Sequence, residues 1–155
     1  MTSPVRLVAR PMLGAMFVTD GFDALRSPGA RVQAVAGAGL DKPEQLVRAN
    51  GAAMLLGGLG LATGRLPRVS ALVLVGSLVP TTVVGHAFWS APDKLAKQQQ
   101  RVQFAKNLGL LGGLLLAAAD TGGRESLPHA AGRVSRRTAR TAGAKAHALR
   151  EALPV

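Results

Sequence analysis

From Val69 to Trp89 the chain runs 21 residues without a formally charged side chain. An α-helix rises about 1.5 Å per residue, so this run matches the roughly 20 apolar residues needed to cross a bilayer's hydrocarbon core. Three further apolar stretches run from about Leu7 to Leu25, Leu46 to Gly64 and Val102 to Ala119. The second leaves 16 uncharged residues between Arg48 and Arg65, while the first contains Asp20 and the fourth Lys106. The pattern predicts an all-α integral membrane protein. Its expected form is a four-transmembrane-helix bundle over residues 1–123, with spans at 7–25, 46–64, 69–89 and 102–119, followed by a basic tail over 124–155. Uncharged runs of this length exceed ordinary core helices and argue against a soluble bundle.

Local signals place the boundaries. Asp41-Lys42-Pro43-Glu44 reads as an N-cap with Pro in the first turn, and Ser90-Ala91-Pro92-Asp93 repeats that start signal. Thr63-Gly64 and Thr121-Gly122-Gly123 read as helix stops, and Pro67 as a helix start. Pro80 should kink the third span, with Thr81 and Thr82 placed to satisfy the freed backbone. The connection from Arg26 to Asp41, with Val32–Gly37 at its centre, fits either an interfacial helix or an irregular loop. Gly60 with Gly64, and Gly109 with Gly113, are small-xxx-small pairs of the kind that let membrane helices approach closely.

Composition sharpens this picture. Hydrophobic content is 48% but aromatics only 3%, with 19 glycines, a bias that suits close helix contact in lipid better than a water-soluble core. No cysteine is present, which excludes disulfides, thiolate nucleophiles, Cys-ligated clusters and covalent c-type haem. Net charge is +11, and residues 121–155 hold seven of the 19 basic residues against two acids. Beside membrane helices such a tail is expected to meet anionic lipid or an acidic partner. Nucleic acid is not an expected partner, since aromatics to stack bases and recognised motifs are lacking. Arg6, Arg10, Arg65, Arg68 and the tail's seven fall on one side of the expected topology. Arg26, Arg31, Lys42, Arg48, Lys94, Lys97 and Arg101 fall on the other. The bias predicts both termini on the cytoplasmic side of the membrane.

The polar residues within the spans carry the candidate chemistry. Counting helix rise, Asp20, Asn50, His86, Lys106 and Asn107 come from four helices yet share one layer, roughly 5–8 Å inside the outer hydrocarbon boundary. Ionisable groups in a span are costly and face the bundle interior, so this layer is the first functional candidate. Asp20 would pair with Lys106 or His86, and Asn50 and Asn107 would supply hydrogen bonds. Structural glue is the favoured reading, a ligand or proton site the other. His86 is read as an interhelical hydrogen-bonding residue rather than a metal or haem ligand, because His129 and His147 both lie in the tail. At the cytoplasmic face Arg10 and Asp120 would form an ion pair, or Arg10 would hold a lipid phosphate.

Several segments resemble the DoxX family of small bacterial membrane proteins. Arg10-Pro11-Met12-Leu13-Gly14-Ala15-Met16-Phe17 with Gly21 looks like its opening motif, and Leu55 to Arg65 like its second helix. His86 before Phe88-Trp89 fits the third, and Lys106 to Gly113 followed by Gly122 to Leu127 fits the fourth and its exit turn. The resemblance covers roughly residues 6–128. It departs at Met54, where members often carry a Glu. It implies a four-helix membrane domain with a loose link to membrane redox enzymes, among them a quinone-reducing oxidoreductase.

No nucleophile–base set is recognisable, which points away from autonomous catalysis. The expected role is a non-catalytic accessory or structural subunit, without cofactor, surrounded by membrane lipid and other membrane-protein subunits. The alternative is a quinone-binding subunit in which His86 and Asn107 hold the quinone carbonyls and Asp20 relays a proton.

Overall fold

The structure, a computed structural model, describes residues 4–120. Five α-helices follow one another: α1 (Pro4–Arg26), α2 (Gly29–Gly37), α3 (Pro43–Thr63), α4 (Pro67–Gly85) and α5 (Lys94–Ala119). A short 3-10 turn, Phe88–Ser90, joins α4 to α5, and no strand occurs among the described residues. Three segments are long and apolar enough to cross a membrane: Pro43–Thr63, Pro67–Ser90 and Lys94–Ala119. The described residues are thus those of an all-helical membrane protein. The expected tail and the stop at Thr121–Gly123 lie outside the described residues.

The boundaries follow local chemistry, with corrections. Pro43 and Pro67 each occupy a first turn, where a missing N–H costs nothing. Gly64 closes α3 in the left-handed conformation at φ 67°, which suits a residue lacking Cβ. Asp93 caps α5 by accepting a hydrogen bond from the Ala96 amide at 2.7 Å. At α3 the cap residue is Lys42, itself left-handed, and no side-chain cap forms, so Asp41 does not play the expected role. The α-helix of the third span stops at Gly85 rather than continuing to Trp89. The fourth helix begins at Lys94, eight residues before the expected span, because the Asp93 cap starts it within a polar segment. The connection over residues 26–41 contains a nine-residue helix without a buried residue.

In the packing, α1 lies along α3, α3 against α4, and α4 against α5. By contrast α1 and α5 meet sparsely. Phe17, Met54, Leu61, Leu74, Leu78 and Leu114 form the core, one or more from each of the four long helices.

The closest approach is between α1 and α3. A Cβ added to Gly14 would lie 2.6 Å from the Gly58 carbonyl oxygen, and one on Gly21 2.6 Å from that of Gly51. These glycines recur every seven residues on both antiparallel helices, so the backbones touch twice, two turns apart. Close packing was expected from Gly60/Gly64 and Gly109/Gly113. Gly60 does abut Ser70, but Gly109 has nothing within 4 Å and Gly113 makes only ordinary contact with Leu13. The α5 pair is therefore not a contact face within this chain.

Candidate functional site

Two neighbouring threonines on α4 organise the polar layer. Thr81 donates its hydroxyl to the Ser77 carbonyl at 2.8 Å and Thr82 to that of Leu78 at 2.7 Å. Each hydroxyl oxygen also accepts an amide from a different helix. Asn50 on α3 donates to Thr81 at 3.0 Å, and Asn107 on α5 donates to Thr82 at 3.0 Å. Consecutive residues on a helix point about 100° apart, so one threonine reaches one neighbour and the next reaches the other. A hydroxyl is both donor and acceptor, which lets a single side chain serve its own helix and the adjacent one. The two carbonyls served are not the one that Pro80 frees. Pro80 lacks the N–H that would reach Gly76, whereas the hydroxyls go one and two residues further on.

Asn107 and Thr82 are buried, and among the described residues no buried side-chain nitrogen or oxygen lacks a partner. The Asn50 amide also lies 3.6 Å from the sulfur of Met54 on its own helix.

The charged members of the expected layer behave differently. Asp20 is half-buried on α1 and belongs to none of the three ion pairs among the described residues. Lys106 is exposed and donates to Gln103 on its own helix at 2.9 Å. The expected Asp20–Lys106 or Asp20–His86 pair therefore does not form. For Lys106 the sparse contact between α1 and α5 supplies a reason, since little packing draws those two helices together.

His86 follows the last turn of α4, and its Nδ1 lies 2.8 Å from the Gln100 side-chain oxygen on α5. The two residues line an open cleft of about 460 Å³ with Gln99, Val102 and Gln103. Next to it Phe88, Trp89 and Phe104 meet edge to face, with centroids 5.1 to 6.2 Å apart, and the Arg101 guanidinium sits 5.5 Å from the Phe88 centroid. Among the described residues no three His, Asp or Glu side chains converge in a way that could hold a metal ion.

At the opposite end of the helices Arg10 lies 3.4 Å from Asp120. The stronger partner is Arg6, which donates two hydrogen bonds to the same carboxylate at 2.7 and 2.9 Å. Arg68 donates from Nε to the Ala118 carbonyl at 2.9 Å, so α1, α4 and α5 are tied there. Sequence reasoning missed Arg6, Arg68 and Gln100 as partners. Arg6 had a usable signal, because it lies one turn before Arg10 on the same helix face.

Fold and site together define a small helical membrane protein whose interior polar groups join one helix to the next. The DoxX family model matches residues 5–87, more than half of the chain, and the chain belongs to the DoxX family. No curated protein and no solved structure gave a match. The matched region covers α1 to α4 and includes Gly14, Gly21, Asn50 and Thr81. It ends before α5, so the Lys106–Gly113 and Gly122–Leu127 resemblances lie beyond it.

Proposed function

We propose that this protein is a non-catalytic accessory or structural subunit of a larger complex in a bacterial inner membrane. In this reading α1 is the fourth span and both termini are cytoplasmic. The observation that carries it is the closed state of the polar layer: Asn50 and Asn107 are engaged by Thr81 and Thr82, leaving interhelical bonds where a reactive site would need open groups. Support for the fourth span comes from the Gly14/Gly58 and Gly21/Gly51 contacts, which lay α1 along the membrane-length helix α3 for two turns. Room for further subunits exists on α5, most of whose apolar length is exposed.

Gentle-detergent purification from native membranes tests this, with protein mass spectrometry and extraction of quinones and lipids. A stoichiometric membrane-protein partner without bound quinone supports the proposal. Bound quinone with no stable partner overturns it.

A second reading, a quinone-binding subunit, is favoured by the open cleft beside His86. Asn107 is buried against Thr82, so Gln100 rather than Asn107 would join His86 in holding the quinone, with Asp20 relaying the proton. Quinone reduction that persists in the intact complex after His86→Ala ends that reading.

A further inference from the structure

We propose that the arginines at the Asp120 end of the bundle form a binding site for the phosphate of an anionic phospholipid. Arg6 and Arg10 meet on the Asp120 carboxylate, and Arg68 reaches the same end of α5 through the Ala118 carbonyl. Arg65 follows Gly64, whose Cα faces the Arg10 guanidinium. Two guanidinium groups thus share one carboxylate and a third lies against the neighbouring turn of α5, an excess of positive charge over the single carboxylate they pair with.

The residue type and the unused donors argue for phosphate. Every basic residue at this end of the described chain is arginine, whereas the other end mixes Arg26, Arg31, Arg48 and Arg101 with Lys42, Lys94 and Lys97. A positive-inside bias needs only charge, which lysine supplies equally well. Arginine adds a planar fork that binds phosphate through two parallel hydrogen bonds. A guanidinium carries five N–H donors. Arg6 uses two groups on Asp120, Arg10 one, and Arg68 one on a carbonyl, so each keeps donors for another acceptor.

The surroundings argue for a lipid. The cluster sits where three membrane-length helices begin or end. Beside Arg6 on α1, Val5, Val8 and Met12 are 73%, 60% and 72% exposed and line a shallow apolar hollow with Pro4 and Ala9. Spaced at i, i+3 and i+7, they form one strip along which an acyl chain can lie while its headgroup meets the guanidinium groups. The proposal rests on the bundle being embedded in a bilayer and is independent of the accessory-subunit reading.

The test uses the purified, delipidated full-length chain in mild detergent. Palmitoyl-oleoyl phosphatidylglycerol or the matching phosphatidylcholine is added, and bound lipid is counted by native mass spectrometry. Phosphatidylglycerol should be retained about tenfold better than phosphatidylcholine, the scale of attraction expected from a few interfacial arginines. The combined variant Arg6→Gln/Arg10→Gln/Asp120→Asn should lose that preference, while Asp120→Asn alone should raise it. Loss of folding cannot produce that second, opposite change. A full-length variant with Arg133, Arg136, Arg137 and Arg140 all changed to Gln should keep the preference. The proposal is overturned if both lipids are retained equally, if the preference follows the tail arginines, or if Asp120→Asn weakens it. Displacement of the lipid by millimolar inorganic phosphate would also overturn it, assigning the arginines to a free anion.

Discussion

Thr81 and Thr82 do more than their size suggests, because each hydroxyl oxygen serves two helices at once. The bond from Asn107 to Thr82 is buried in the bundle. Interhelical side-chain bonds in membranes average about 0.6 kcal/mol and reach about 1.7. A double-mutant cycle of Asn107→Ala and Thr82→Val, followed by unfolding in detergent mixtures, should give a coupling within that range. A coupling indistinguishable from zero would show that the bond contributes nothing. The layer itself was legible from helix rise alone, since Asn50 and Asn107 were placed at one depth by counting residues. Their partners were not legible, because depth does not reveal which way a helix is rotated about its axis. The same gap explains Asp20 and Lys106. Counting put them at one level, yet Lys106 is exposed and Asp20 makes no ion pair.

At the scale of elements, the α1–α3 pair depends on four missing side chains. Gly14→Val or Gly58→Val should separate the helices and lower stability by about 1–3 kcal/mol, the usual cost of overpacking. Thermal unfolding of the purified variants reads this directly, and unchanged melting would mean that the backbones are not in contact. Gly109→Ala and Gly112→Ala should instead be neutral or stabilise by up to about 1 kcal/mol, because a methyl there meets nothing and alanine is the better helix former. Small-xxx-small spacing marked Gly109 and Gly113 just as firmly as it marked Gly60 and Gly64. A spacing rule finds faces that permit close approach. Only the docking of one helix on another determines which of them are used. The Gly14/Gly21 and Gly51/Gly58 spacing of seven carried the better signal, since it repeats on two helices that run antiparallel.

For the whole molecule, the arrangement leaves much of α5 uncovered. Leu108, Leu115 and Leu116 are exposed, and Gly109 and Gly112 open onto empty space. If another subunit docks there, Gly109→Leu/Gly112→Leu should leave the isolated chain's melting unchanged while breaking co-purification with the partner. Intact co-purification would move the interface elsewhere. Topology offers a separate check. Reporter fusions before Pro4 and after Val155 should fall on the same side of the membrane in the four-span arrangement, and on opposite sides if α1 does not cross.

Length and hydropathy along the chain are enough to make it a helical membrane protein, because they decide what a bilayer accepts irrespective of neighbours. The sequence also sets most helix starts and stops, since Pro43, Pro67, Gly64 and Asp93 act within a turn or two of themselves. Tertiary structure decided the rest. Which glycines touch, which threonine takes which asparagine, and why Arg6 rather than Arg10 makes the closer pair with Asp120 all depend on helix rotation and crossing. Those are set by the sum of many small packing contacts between distant segments, and no local pattern in the chain encodes that sum.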